Sequence, residues 1–317
     1  MSVPPAGRPP RELGPCDLVW DHFSRPRNDD VVARIRAAAA AGYQAIGLYI
    51  GAWAALCERP AELERVDEAL ALAGLGVANI ETLRGWASPD DDEGFQRREA
   101  LAYEMADRWQ CRYVQVIGDA DESLDDAAAG FAALCDRAAD HGLLVGLEWV
   151  PGMTNIADAR TALRIVEDAD RPNGGLCVDS WHLTRSTNDL DDLRRIPGEK
   201  VFATQWNDGP VVPQHGDYYG DCLANRVPPG DGEFALVDMI RILDAAGSTA
   251  PLGVEVCSTE LWAGPVERAA QAGADGMRRV LADARAEPRM RRQVGSHRWP
   301  LDPLTFYAGP ETSVDER

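Results

Sequence analysis

Eight times along this chain a short apolar run gives way to a helical pattern, and that alternation restricts the fold more than any other feature of the sequence. The strand candidates are Asp17–Trp20, Ala45–Tyr49, Val77–Glu81, Tyr113–Val116, Leu144–Glu148, Leu176–Asp179, Val201–Gln205 and Leu252–Val256. Between them, apolar residues recur at helical spacing and stop at a glycine. Val31, Val32, Ile35, Ala38 and Ala39 follow Asn28/Asp29 as a cap and end at Gly42. Leu63, Val66 and Leu70 precede Gly74; Phe131, Leu134, Cys135 and Ala138 precede Gly142; Leu236, Met239, Ile240 and Leu243 precede Gly247. Eight βα units predict a (β/α)8 barrel, with an open doubly wound sheet as the alternative. That alternative lacks a phosphate loop in its nucleotide-binding forms, because neither G-x-G-x-x-G after the first strand nor G-x-x-x-x-G-K-[ST] occurs.

The pattern divides the 317 residues into a flexible N-terminus (1–15), a single TIM-barrel domain (16–286) and a C-terminal extension (287–317). Asn207 to Glu233 is too long for an ordinary connection and reads as a functional loop after strand seven. The extension carries Arg289, Arg291, Arg292 and Arg298 near Trp299, Pro300 and Phe306. It reads either as a partly ordered terminus or as a basic arm that docks on a neighbouring subunit, and a homo-oligomer is expected.

A formal charge of −20 repels phosphate backbones and anionic membranes, so neither nucleic acid nor a membrane is an expected partner. No run reaches the ~18 apolar residues of a membrane span, and Met1 to Pro15 has no apolar signal region, so a soluble cytoplasmic protein is expected. The seven cysteines are widely spaced with no C-x-x-C pair and read as reduced thiols. Lys200 is the one lysine, at the amino end of strand seven, which argues against Schiff-base chemistry. Neither G-x-S-x-G nor H-E-x-x-H is present.

Four polar residues end strands five to eight: Glu148 in GLEW, Asp179 in CVDSWH, Gln205 in FATQWND and Glu255 in GVEV. Barrel active sites form at that face, and strand alternation turns all four inward. The same phase directs Tyr49, Glu81 and Gln115 to the mouth. It points Phe202 outward with Val145, Leu147 and Val178, and puts small residues such as Gly146, Cys177, Ala203 and Gly253 inside, which suggests open space beneath the polar groups. Any one strand-end acid reads most simply as an ion pair with a helix arginine. Three carboxylates meeting in one place need a cation, and with the Gln205 amide oxygen they suit Mn²⁺ or Mg²⁺, with Co²⁺ tolerated. The absence of sulfur and nitrogen donors from that set speaks against zinc.

With these residues the chain resembles the sugar isomerase/epimerase superfamily of xylose-isomerase-like barrels, which includes tagatose/psicose 3-epimerases, inosose dehydratase, hydroxypyruvate isomerase and 3-dehydroshikimate dehydratase. The likeness runs from about Asp17 to Leu281. It rests on Glu148, on Asp179 and His182 as D-x-x-H, on Glu255, and on Arg226, Pro229 and Gly230 as R-x-x-P-G. Gln205 departs from the histidine that many members carry, as the dehydroshikimate dehydratase branch also does. A histidine-rich DNA-endonuclease branch of the superfamily is disfavoured by the five histidines and the acidic charge.

The resemblance implies a divalent ion that polarises an α-hydroxyketone and stabilises an enediolate, with Glu148 and Glu255 as base and acid on either side of the substrate. Isomerisation, epimerisation and dehydration are all open to that constellation. The leading expectation is an isomerase or epimerase of a small polyhydroxylated ketone, a sugar or cyclitol. A dehydratase is the alternative, and a non-catalytic metabolite-binding barrel is a third reading. His182, Arg226, Tyr49, Glu81, Gln115 and Trp149 are the candidate substrate contacts. His182 also reads as a structural histidine, Arg226 as an anchor for its loop, and at least one of Trp149, Trp181 and Trp206 as core packing.

Overall fold

The computed structural model describes residues 12–27, 29–87, 93–119 and 123–286. Most of the N-terminal segment and the whole extension 287–317 lie outside the described residues. The strands are β1 (Leu18–Trp20), β2 (Ala45–Tyr49), β3 (Gly76–Leu83), β4 (Tyr113–Ile117), β5 (Leu144–Glu148), β6 (Gly174–Asp179), β7 (Val201–Trp206) and β8 (Leu252–Val254). They are parallel and close in sequence order, with β8 paired to β1 through Val19 and Gly253. Helices α1 (Val31–Ala41), α2 (Ile50–Cys57), α3 (Pro60–Ala73), α4 (Glu93–Trp109), α5 (Leu124–Ala139) and α6 (Ala159–Ala169) cover the first half. Helices α7 (Ser180–Arg185), α8 (Leu190–Arg194), α9 (Tyr218–Ala224), α10 (Leu236–Ala245), α11 (Thr259–Ala263) and α12 (Val266–Arg285) cover the second. None of these helices is long and apolar enough to cross a membrane.

Each helix buries the face that its spacing predicts. Ile35 and Ala38 of α1, Phe131 and Leu134 of α5 and Met277 of α12 pack with Val145, Leu147, Val178 and Val254 of the strands in one core between barrel and helices. Helix α1 is capped by Asp30, whose carboxylate accepts from Val32 and Ala33 N–H, and not by Asn28 or Asp29. The cap must immediately precede Val31, the first helical residue. Asn28 lies outside the described residues, and Asp29 pairs with Arg25 at 2.6 Å. Lys200 donates from Nζ to the Arg171 and Gly174 carbonyls at 3.2 and 3.1 Å, at the amino end of the barrel. All seven cysteines are free.

The barrel interior departs from the simple alternation. A register shift lets Cys177 pair with Ala203 directly after Leu176 pairs with Val201, and Phe202 then packs on the inner cluster of Tyr113, Cys177 and Ala203 instead of facing the helices. The small inward residues do not hold space open. They make way for larger neighbours: a Cβ at Gly146 would lie 2.2 Å from Tyr113 Oη, and one at Gly253 would lie 2.5 Å from Asp21 Oδ2. Gly146→Ala should therefore lose about 1–3 kcal/mol through overpacking, read from the urea unfolding midpoint. An unchanged midpoint would mean that the Tyr113 ring is free to move aside.

Candidate active site

The strand ends bring the four expected residues together. Asp179 pairs in register with Gln205, so β6 and β7 deliver their polar side chains to the same level, while Gln205 pairs with Gly253, two residues before Glu255. Glu255 lies just past β8, where its N–H donates to the Trp206 carbonyl at 3.1 Å. Glu148, Asp179, Gln205 and Glu255 are all buried. Helix α7 starts directly after Asp179, because Oδ1 of that residue accepts from Trp181 N–H at 2.6 Å. One turn of helix then carries His182 over the site, with Nε2 3.1 Å from Glu148 Oε1 and 3.6 Å from Asp179 Oδ2.

The long segment after β7 is anchored at several points. Asp208 accepts from the N–H groups of Gly209, Phe234 and Gly230, and Arg185 holds the Pro210 and Val211 carbonyls and pairs with Asp221 at 3.0 Å. Asp217 caps α9 at Gly220 N–H, so the expected loop contains a short helix. That helix supplies Tyr218, whose hydroxyl lies 2.5 Å from His182 Nδ1. Downstream of it, Arg226 reaches into the site. Its Nη1 donates to Asp179 Oδ2 at 2.8 Å and to Glu255 Oε2 at 2.9 Å, while Nε and Nη2 donate to the Cys222 carbonyl and sulfur.

Beneath the acids runs a row of amides. Asn79 Nδ2 donates to Asp21 Oδ1 at 3.1 Å and to Gln115 Oε1 at 3.3 Å. Gln115 Nε2 donates to Glu148 Oε2 at 2.7 Å and to Gln205 Oε1 at 3.2 Å. Gln205 Nε2 donates to Glu255 Oε1 at 3.0 Å and to Glu81 Oε2 at 3.4 Å. Glu81 and Gln115 thus join the cluster. Tyr49 instead packs its ring against His22 and Phe23, and Trp149 is fully buried with no partner for its N–H.

Asp21, His22, Asn79, Asn207 and Tyr218 were not singled out from the sequence. Asp21 and His22 follow the apolar run of β1, so the strand-end rule that found Glu148 points to them too. Asn207 donates to Asp179 Oδ1 at 2.8 Å.

The two carboxylates on Arg226 titrate differently. Burial alone pushes the Asp179 carboxyl up, but Arg226, His182 and the donors from Asn207 and Trp181 outweigh it and hold the group below the usual range. Glu255 has fewer donors, and burial raises it well above that range despite Arg226. Burial, with Glu81 next, raises Asp21 in the same direction. Burial carries Glu81 from 4.5 up to about 7.

The donor set fits a divalent cation. One ligand atom each from Glu148, Asp179 and His182 lies within 4.8 Å of the others, and Glu148 Oε1 is buried without a hydrogen bond. His182 brings a nitrogen to this grouping, so the argument against zinc from an all-oxygen set does not hold. Gln205 turns its nitrogen, not its oxygen, toward Glu255, and its amide must turn over before it can serve as a ligand.

Raised carboxyls make stability depend on pH. For Asp21, Glu81 and Glu255 the folded form keeps protons that the unfolded chain releases. Their contribution is fully present below the ordinary values, 3.8 for Asp21 and 4.5 for the two glutamates, and is lost as pH rises through the raised values, about 7 for Glu81. The Tm of EDTA-treated protein should fall between about pH 5 and 8, and the gain on adding Mn²⁺ should grow over the same interval, because the ion binds the deprotonated groups. A metal-free Tm that rises across that interval would contradict this assignment.

A family model described as "Xylose isomerase-like TIM barrel" matches residues 35–313. The chain belongs to that family. Among curated relatives of this xylose isomerase-like TIM barrel, a 3-dehydroshikimate dehydratase of Pseudomonas putida is 27% identical over 206 residues, 64% of this chain and 31% of that protein. An inosose isomerase of Halalkalibacterium halodurans is 28% identical over 144 residues, 45% of this chain and 49% of that protein. The matches thus span about a third and about a half of those two relatives. Among solved structures, the IOLI protein with a bound zinc atom superposes with a TM-score of 0.72 at 18% identity, covering 86% of this chain and 100% of that one, which establishes the shared fold.

Proposed function

We propose that this protein is a divalent-metal-dependent isomerase or epimerase acting through an enediolate on a small polyhydroxylated ketone, a sugar, sugar derivative or cyclitol. The observation that carries the reading is the meeting of Glu148, Asp179 and His182 at one buried point, with Glu255 joined to Asp179 through Arg226. Glu148 and Asp179 would hold the ion, joined by His182 or by Gln205 and Glu255, and Mn²⁺ or Mg²⁺ is the proposed metal. When bound, the ion polarises the substrate carbonyl.

The protein's own groups then handle protons. Glu148, whose Oε1 lies 3.1 Å from His182 Nε2, is the proposed acceptor for the proton beside the carbonyl, and Glu255, on the other side of the substrate, is the group that returns it. Arg226 offsets negative charge as it develops on the substrate oxygens, and the buried indoles of Trp149, Trp181 and Trp206 help to keep water out. The partner is a small molecule, and a cytoplasmic homo-oligomer without nucleic-acid or membrane contacts is the proposed setting.

A dehydratase is the second reading, favoured by the short contact between Tyr218 Oη and His182 Nδ1, a pair able to pass a proton to a departing hydroxyl, and by the named dehydratase relative. Incubation of the Mn²⁺-loaded protein in D₂O with inosose and with 3-dehydroshikimate separates the two. Deuterium uptake into recovered ketone or its isomer supports the first, and loss of water with a new conjugated absorbance supports the second. Neither result with either compound would remove both.

A further inference from the structure

His22 lies in the 3-10 turn that leaves β1, at the carboxyl end of the barrel, and its side chain is buried. Its main-chain N–H donates to Glu81 Oε1 at 2.7 Å, which ties the residue to the acidic cluster. Ring atom Nδ1 is 3.2 Å from Nη1 of Arg34, a buried arginine of α1 whose Nη2 donates to the Asp21 carbonyl at 3.2 Å. A guanidinium has donors only, so Nδ1 is the acceptor of this pair and carries no proton. Burial, with Arg34 next, pushes the imidazole well below its ordinary value, so the ring is neutral at pH 7 and its one proton sits on Nε2.

Nε2 makes no hydrogen bond of good geometry among the described residues, although the Arg27 main chain lies near enough to favour a proton on the ring. A buried N–H without a well-placed acceptor is unfavourable and rare, and at the mouth of a site it points to a missing partner. The rings beside it belong to Phe23 and Tyr49, with centroids 5.6 and 5.7 Å from the imidazole, and both are only half-buried.

We propose that His22 is a substrate-recognising residue whose Nε2–H donates to an oxygen of the bound ketone, three strands round the barrel from His182, once the Tyr49 ring turns outward to admit it. Arg34 is its positioning residue, fixing the tautomer without touching substrate. The inference deepens the function proposed above and rests on it.

Two measurements test it. In ¹⁵N-histidine-labelled, Mg²⁺-loaded protein at pH 7, the His22 ring, identified by its loss in His22→Gln, should be neutral with the proton on Nε2. A proton on Nδ1 overturns the proposal whatever the protein turns over. Kinetics with whichever of inosose or 3-dehydroshikimate reacts then separates recognition from mere packing. Asparagine places its amide near Nδ1 and keeps the contact to Arg34, whereas glutamine places an N–H near Nε2. His22→Asn should lower kcat/KM about tenfold, mainly through KM, and His22→Gln should recover most of it. A structural role predicts the reverse order, and asparagine equal to or better than glutamine overturns the proposal. Absence of reaction with either compound counts against the proposed function alone, since the tautomer measurement needs no substrate.

Discussion

Glu255→Gln should lower kcat/KM about a thousandfold, within the 10²–10⁴ range of a lost general acid or base, while leaving the metal-free fold nearly as stable as before. The two halves of that result have one origin. Glu255 is buried and raised well above the usual carboxylate range, so in the metal-free protein it is already a neutral, proton-bearing group that glutamine imitates in shape and charge. What is lost is the ability to give up the proton, and with it the charge that Glu255 could offer to the ion. Steady-state kinetics of the Mn²⁺-loaded variant, set beside urea unfolding of its EDTA-treated form, reads both. A variant with kcat/KM within tenfold of the wild type would remove Glu255 from the proton chemistry.

Arg226→Ala should have the largest effect on stability, about 3–5 kcal/mol in the metal-free protein, because it leaves the buried Asp179 carboxylate without its guanidinium. Arg226 Nη1 is within 2.9 Å of both Asp179 Oδ2 and Glu255 Oε2, and no other arginine or lysine among the described residues pairs with either. Asp179 bears most of the loss, since Arg226 is the foremost of the groups that hold it ionised. Mn²⁺ should restore much of the stability by supplying the positive charge, whereas Mn²⁺ that stabilises wild type and variant equally would falsify the idea that ion and guanidinium answer the same need. Urea midpoints of both proteins with EDTA and with Mn²⁺ provide the comparison.

The parts of this molecule that sequence made legible obey one-dimensional rules. Period-2 and period-3.6 patterns located all eight strands, and the rule that barrel sites gather at strand carboxyl ends located Glu148, Asp179, Gln205 and Glu255. Direction and register are less accessible. Phe202 was placed outward because alternation assumes an unbroken ladder, and a single register shift beside Leu176 turned it inward. Gly146 and Gly253 read as open space because a sequence shows which side chains are small without showing that Tyr113 and Asp21 lean over them. Arg226 is far from Asp179 along the chain, and only its motif, not its spacing, connected it to the site. Asp21 and His22 directly follow β1, where the same strand-end rule applies, but no motif ties them to the acids of the later strands.

The row formed by Asn79, Gln115 and Gln205 runs with a single polarity, each nitrogen facing the oxygen of the next amide or an acid. An amide has a giving end and a receiving end, so turning one member alone sets donor against donor at its neighbour. The row therefore reverses only as a unit. The end that Gln205 offers to a cation is thus tied to Asn79, whose Nδ2 donates to Asp21 just past the first strand of the barrel. A substitution at Asn79 should thus be felt at the seventh strand as a change in which atom faces the ion, with no movement of the backbone between them.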